Sequence, residues 1–292
     1  MARTFLSYAK INLYLAVRGL RPDGYHEIDT AMQTVSLADR MIFESTPDGG
    51  LEIECDAPGV PSGPANLAGR ALKLLQRRLR VGAGMRLRVV KTIPVQAGLG
   101  GGSSNAACAL GAANSIWGLG LDAGALEALA AEIGSDVPFF IRGGTQRCRG
   151  RGELLEPLAP LPDSLWAILR PPWGLATADV YRGFTSGLIY DEVCTNMALG
   201  QIAKQDLAGV VRTRFDDLES AAQCVRPEAA EVRSFLVSSG LSGVTLAGSG
   251  SAWIGFCPGL EVGERVRAEA AARGWLAFLV RPVRGGWLET VK

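Results

Sequence analysis

Residues 11–17 form an apolar run that reads as a strand. Two more strands are expected over 28–37 and 40–45, with a short polar turn between them. Arg18-Gly-Leu-Arg-Pro-Asp-Gly-Tyr-His26 lies between the first two. Its Pro-Asp-Gly predicts a turn, because proline presets φ and glycine accepts a positive one. Ala68, Leu72, Leu75 and Leu79 recur at helical spacing, and Arg77 and Arg78 fall off that face. Met85, Leu87 and Val89 alternate with Arg86 and Arg88, the pattern of a half-buried strand. A glycine-rich loop follows, then a helix of small residues over about 104–117, then a second helix with Asp122 as its N-cap.

The texture changes over 145–163. Gly143, Gly144, Gly150, Gly152, Pro157, Pro160 and Pro162 gather there, as at a domain junction. Beyond it, strands are expected over 165–169, 244–247, 253–256 and 276–280, and helices over 227–237 and 262–272. Strands and helices are mixed without strict βαβ alternation, which predicts an α+β fold of two domains, 1–155 and 156–292.

Composition narrows the function. The net charge of +1 gives no electrostatic case for nucleic acid or a membrane surface as partner. The six cysteines form no CxxC pair, and with one histidine no zinc pattern can be built. Free thiols in a reducing compartment are the expectation, hence a soluble, cytoplasmic protein. The first residues carry no long apolar stretch. The most apolar segment, 106–121, is interrupted by Asn114, Ser115 and glycines and is too short to span a bilayer.

The most informative segment is Pro94-Val-Gln-Ala-Gly98-Leu99-Gly100-Gly101-Gly102-Ser103-Ser104-Asn105. Glycines let backbone N–H groups close on a polyphosphate. The helix that follows aims unpaired N–H groups at the same place. Ser103 and Ser104 add hydroxyls for a phosphate oxygen or a magnesium ion. A plain flexible turn with a serine helix cap is the alternative reading of such a segment alone. Rival phosphate loops fit poorly. The Walker pattern needs Gly-Lys, which the chain lacks. The dinucleotide fingerprint would put Ser103 at its third glycine, and Asp122 opens a helix instead of ending a strand. Protein-kinase signatures are absent.

The whole string resembles the phosphate loop of the GHMP kinases, which include galactokinase, homoserine kinase and mevalonate kinase. Four more segments are similar to one branch of that family, whose acceptor alcohol is carried on cytidine diphosphate. They are Ala9-Lys10-Ile11-Asn12-Leu13, Arg21-Pro-Asp-Gly-Tyr-His-Glu27, Gly134-Ser-Asp-Val-Pro-Phe-Phe140 and Ala247-Gly-Ser-Gly-Ser251. The Pro-Asp-Gly-Tyr-His segment separates this branch from its cousins. The resemblance runs nearly the full length in the same motif order.

The resemblance implies a two-domain GHMP kinase fold. Its N-terminal domain is ribosomal-protein-S5-domain-2-like, its C-terminal domain is ferredoxin-like, and the active site lies between them. It implies phosphorylation of a 2-hydroxyl on the non-mevalonate route to isoprenoid precursors, with ATP and Mg2+ as cofactors. The partner would be a small molecule carrying cytidine diphosphate, and the chain a monomer or weak homodimer. Asp136 is then the general base, and Lys10 pairs with Asp136 and with the moving phosphoryl group. Asn12 bonds the substrate near the reacting hydroxyl. Tyr25 and Tyr181 sandwich the pyrimidine, His26 reads its edge, and Thr177 lies in the same site. Pro94, Gly98, Leu99, Gly100, Gly101, Gly102, Ser103 and Ser104 hold ATP, with Asn66 and Asn105 on the adenine side. Gly248, Ser249 and Gly250 face the loop and hold substrate phosphates. No protein metal ligand is implied beyond Ser104.

Each residue also has a plainer reading. Asp136, Asn66 and Asn105 suit helix caps, Lys10 an edge strand, the tyrosines a core, and Gly248 to Ser251 a hairpin turn. Three departures from the family pattern stand out. Ala247 replaces a hydroxyl residue, and Asp216 replaces an asparagine. Arg147, Arg149 and Arg151 make the junction basic, and they are read as bearing on oligomerisation or domain contacts rather than on the chemistry. Competing readings are a GHMP kinase with another acceptor, a catalytically silent nucleotide binder on the same fold, and a nucleotide-dependent oxidoreductase.

Overall fold

β1 (Arg3–Leu20) and β2 (His26–Thr46) form a long antiparallel ribbon. The computed structural model describes residues 1–184 and 191–290. The expected Pro-Asp-Gly turn joins the two strands. Gly24 takes φ +81 there, and Arg21 N donates to Tyr25 O at 2.7 Å. The expected break between 37 and 40 is absent, and β2 runs straight through it. The register slips instead: Tyr8 faces Ala38, while Ala9 faces Val35. This bulge accommodates Asp39, which is 0% exposed. Its carboxylate accepts from Thr92 N and Ile93 N, both at 2.8 Å, from Asn105 Nδ2 at 2.9 Å, and from Lys91. A buried acid so surrounded by donors belongs inside the fold, so the polar residue that suggests a turn is a strand residue.

β3 (Leu51–Cys55) follows, then α1 (Leu67–Leu79) and β4 (Gly84–Val90), which lies parallel to β3. Met85, Leu87 and Val89 are buried and the intervening arginines exposed, as alternation predicts. Leu79, expected on the buried face of α1, lies in its last turn and is exposed. α2 (Gly101–Trp117) starts three residues before the expected 104, inside the glycine run. Its alanines are all buried, and Gly111 leaves room for the Trp287 ring. α3 (Ala123–Ala131) is capped by Asp122, whose Oδ1 accepts from Ala125 N at 2.8 Å. After α4 (Val137–Arg142) come β5 (Thr145–Gly150) and β6 (Leu154–Pro157). This hairpin pairs with β2, so the first part of the glycine- and proline-rich stretch belongs to the first sheet.

The second half holds β7 (Trp166–Arg170), α5 (Thr177–Gly183), α6 (Glu192–Ala203), α7 (Leu207–Arg212), α8 (Glu219–Val225) and α9 (Ala229–Ser238). Then come β8 (Ser242–Leu246), β9 (Trp253–Phe256), α10 (Leu260–Ala272) and β10 (Leu276–Val280). The strands stand in the order β10-β7-β9-β8, all antiparallel. Counted along the chain this is 4-1-3-2 with helical crossovers, the ferredoxin-like arrangement that the resemblance implies. β11 (Trp287–Thr290) returns to the first sheet beside β1, whose order is β11-β1-β2-β4-β3.

The two sheets are joined along β1. Leu15 N donates to Phe215 O and Asp217 N to Leu15 O, both at 3.0 Å, and Val17 N donates to Asp217 Oδ2 at 2.7 Å. The glycine loop docks on the β8–β9 hairpin, with Ala252 N donating to Ala97 O at 3.2 Å. The cleft opens between these two seams.

Candidate active site

The cleft has a volume of about 1050 Å³. One end is the glycine loop. Gly98 has φ +74, and a side-chain carbon there would sit 1.7 Å from Ala247 O, so only glycine lets the loop meet the hairpin. Gly100 has φ +71 and lies against the Phe140 ring and the Lys10 stem. Gly100 is also the N-cap of α2 and offers no side-chain acceptor. The first intrahelical bond of this helix is Ser104 N to Gly100 O, at 2.8 Å. The N–H groups of Gly101, Gly102 and Ser103 therefore have no acceptor within the helix, and all three residues line the cleft. A helix of this length adds the favourable end of its dipole. Backbone N–H groups so arranged form an anion cradle.

The floor beside the loop holds Lys10 and Asn12 on β1. Lys10 is 4% exposed, and its Nζ donates to Asn12 Oδ1 at 2.7 Å. Asn12 Nδ2 donates in turn to Thr30 Oγ1 at 2.9 Å. Burial lowers the Lys10 pKa, and Asp136 and Asp216 work against that. Asp136 stands at the N-cap position of α4, yet its side chain makes no cap bond. Its carboxylate faces the cleft half-buried. The expected Lys10–Asp136 ion pair is not formed. Lys10 bonds Asn12 instead and acts on Asp136 only over a longer range.

The other end is made of side chains. The His26 and Tyr181 ring centroids lie 4.9 Å apart at 33°. Tyr25 is 55% exposed, and the Arg151 guanidinium lies 5.0 Å from its ring centroid. Tyr181 thus packs on His26 as a tilted ring pair, and Tyr25 lines the same cleft. Burial raises the Tyr181 hydroxyl pKa, with Asp216 and Asp136 adding to the effect. Thr177 at the start of α5 meets Ser249 of the β8–β9 turn, Oγ to Oγ at 2.9 Å.

Most of the expected residues gather in this one cleft: Lys10, Asn12, Tyr25, His26, Asn66, Pro94, Gly98 to Ser103, Asn105, Asp136, Thr177, Tyr181, Gly248 and Ser249. Two stand apart. The Ser104 hydroxyl is buried against Ser7 Oγ at 2.7 Å, so it does not face a nucleotide or a metal. Gly250 packs against Leu175 and Leu246. Two more line the cleft with occupied side chains. Asn66 caps α1 through Oδ1 and donates to Pro61 O. Asn105 gives its amide hydrogens to Ser7 and Asp39.

Sequence reasoning missed Lys91 and Arg151, which both line the cleft. Lys91 is bound to Asp39, and its Nζ is 3.1 Å from where a side chain on Gly101 would begin. Its signal is a lysine just after a strand and before the loop, whereas the Walker pattern looks for one after the loop. Arg151 was expected, with Arg147 and Arg149, to bear on oligomerisation or domain contacts, and its ring contact needs a fold to be seen. Among the described residues no group of three His, Cys, Asp or Glu could hold a metal ion, and no helix is long and apolar enough to cross a membrane.

This fold and this loop define a GHMP kinase. The family description "GHMP kinases N terminal domain" matches residues 66–144. The chain is 42% identical over 268 residues to the 4-diphosphocytidyl-2-C-methyl-D-erythritol kinase of Pelotomaculum thermopropionicum, covering 92% of this chain and 93% of that one. It is 40% identical over 267 residues to the enzyme of the same name from Moorella thermoacetica, covering 90% and 93%. A crystal structure of 4-(cytidine 5'-diphospho)-2C-methyl-D-erythritol kinase superimposes with TM-score 0.82 at 37% identity, covering 98% of this chain and 100% of that one. Homoserine kinase from Cytophaga hutchinsonii shares the fold, with TM-score 0.79 at 17% identity and coverage of 99% and 97%. The chain belongs to the 4-diphosphocytidyl-2-C-methyl-D-erythritol kinase family.

Proposed function

We infer that this chain transfers the γ-phosphate of ATP to the 2-hydroxyl of 4-diphosphocytidyl-2-C-methyl-D-erythritol, giving the 2-phosphate and ADP in the non-mevalonate isoprenoid precursor pathway. The observation that carries the mechanism is the side chain of Asp136. It occupies a helix-capping position, makes no capping bond, and faces the cleft near Lys10 and the glycine loop.

Phosphoryl transfer asks chiefly for in-line positioning and charge stabilisation. The N–H groups of Gly101, Gly102 and Ser103 receive the polyphosphate. The Asp136 carboxylate takes the proton of the acceptor hydroxyl as its oxygen approaches phosphorus. Lys10, held by Asn12, keeps a cation next to the moving phosphoryl group. Burial lowers its pKa, and an arriving phosphate, like Asp136 and Asp216, favours the charged form. Magnesium, carried on the ATP phosphates, supplies charge neutralisation when bound, and Ser103 is the loop hydroxyl that lines the cleft beside them. His26, Tyr181 and Tyr25 hold the cytidine. The free cysteines among the described residues suit work in a reducing cytoplasm. A division near residue 155 is supported by the change of sheet after β6, with β11 returning to the first sheet.

An ADP-release assay with the diphosphocytidyl acceptor, with homoserine, with mevalonate and with no acceptor tests this reading. ADP should appear with the first alone, matched by a new phosphomonoester signal in the phosphorus NMR spectrum. Turnover of homoserine or mevalonate with none of the cytidine compound would overturn it.

A further inference from the structure

Four cations line the cleft among the described residues: Lys10, Lys91, Arg151 and Arg182. Three are occupied. Lys10 bonds Asn12, Lys91 bonds Asp39, and Arg182 bonds Asp179 at 3.0 Å. Arg151 differs. Its nearest acid is Glu153, with Nε to Oε1 at 3.8 Å, beyond hydrogen-bond reach. That is a loose ion pair, and the five Arg151 N–H donors make no hydrogen bond among the described residues, while the side chain remains 34% exposed.

The turn that carries Arg151 is tightly built. Gly150 N donates to Glu27 Oε1 at 3.0 Å, which ties the turn to the start of β2. Arg151 N donates to Glu153 Oε2 at 2.6 Å, and Gly152 N to Arg149 O at 3.1 Å. The next residue, Gly152, lies against the reacting carboxylate: a side-chain carbon there would sit 3.3 Å from Asp136 Oδ1. The Arg151 guanidinium lies over Tyr25. The residue therefore spans the distance from the proposed base to the cytidine-binding rings.

A nucleoside diphosphate ester has the same order of parts: base, diphosphate, alcohol. We propose that Arg151 binds the diphosphate of the acceptor substrate, between the rings that take the base and the carboxylate that takes the hydroxyl proton. The proposal rests on the cytidine-diphosphate reading of the site. Guanidinium suits the task, because its planar fork meets two phosphate oxygens at once. Its stacking on Tyr25 fixes the fork in place before substrate arrives and adds a cation–π contact.

Calorimetric titration of CDP, of a non-hydrolysable ATP analogue and, by competition, of cytidine tests the proposal on wild type, Arg151→Gln and Arg151→Lys. Arg151→Gln should weaken CDP roughly 10- to 100-fold, the worth of a charge-assisted bond. Cytidine and the ATP analogue should stay within about two-fold of wild type, so folding is controlled within the same variant. Arg151→Lys should lose less, since it keeps the charge without the fork. Unchanged CDP affinity in Arg151→Gln would overturn this inference alone. Equal losses for CDP and cytidine would also overturn it, because Arg151 would then only prop the Tyr25 ring. A wild-type chain with no CDP affinity would overturn the substrate reading together with it.

Discussion

The two ends of the cleft are built from different material. The phosphate end is backbone. One continuous segment, residues 94–105, supplies N–H groups, positive-φ glycines and a helix start. The acceptor end is side chain. His26, Arg151, Tyr181 and Ser249 come from segments far apart in the chain that the fold brings together. A polyphosphate presents the same oxygens in every nucleotide, so fixed N–H groups suffice for it. A cytidine ester must be told from other alcohols, and that takes rings and charged heads in a particular arrangement. Changes at one end should therefore leave the other nearly untouched, except at Asp136, where the two meet.

Asp136→Asn is expected to have the largest effect. Turnover should fall about 10²- to 10⁴-fold, the usual worth of a positioned general base, while ATP and CDP affinities stay within a few-fold. Rapid-quench kinetics beside equilibrium binding separates the two quantities. A variant that keeps most of its turnover removes Asp136 from the mechanism. Gly101→Val comes next and tests the backbone end. Its added carbons crowd Ile93 and Lys91 at the first turn of α2, where a polyphosphate must approach. ATP-analogue affinity should drop at least about ten-fold with CDP affinity retained. Parallel losses for both ligands would mean that the ends are not independent.

Tyr181→Ala tests the side-chain end. Stacking of a base on an aromatic ring is worth about 1–3 kcal/mol, so CDP should weaken by that amount while the ATP analogue does not. The tilted His26–Tyr181 pair makes this a change to a two-ring surface. A drop in ATP-analogue affinity of the same size would show that Tyr181 is a packing residue.

The same contrast explains what could be read from the sequence. Alternation marked β4, and the strands at 253–256 and 276–280 matched β9 and β10 at both ends. The glycine loop was legible because its function lies in its local conformation. The start of α2 was placed three residues late, because glycine and serine are weak helix formers and tertiary contacts hold that turn. Asp39 looked like a turn residue because its donors, from 91–93 and 105, are remote in sequence. The short helices over 192–212 carry no strong periodicity and were not read. At the acceptor end Tyr25, His26 and Tyr181 were reached only through resemblance. The tilted His26–Tyr181 pair, the Arg151 contact and the Lys10–Asn12 bond are products of tertiary packing.

The smallest expected effect concerns the charge hidden behind the acceptor end. Asp216 is 5% exposed and lies beside β1, where it forms a bridge with Leu15. Its Oδ1 accepts from Leu218 N at 3.0 Å, and its Oδ2 has no hydrogen-bond partner. Burial raises its pKa well above the ordinary value near 3.8, more than the Leu218 N–H and Lys10 can offset. An acid whose folded-state pKa is raised favours the fold only while it is protonated. As pH climbs past about 4 the unfolded chain releases its proton first, and stability falls until the folded-state pKa is passed. Asp216→Asn keeps an oxygen for Leu218 and cannot ionise. It should match wild type at or below about pH 4, where both side chains are neutral, and gain on it steadily above. Urea unfolding from pH 4 to pH 8 measures the difference directly. A gain that is constant with pH would mean that packing, not charge, separates the two residues. A loss that grows with pH would mean that the carboxylate finds a cation, with Lys10 as the candidate. The electrostatics of the acceptor end would then reach through the floor of the cleft to the phosphate end.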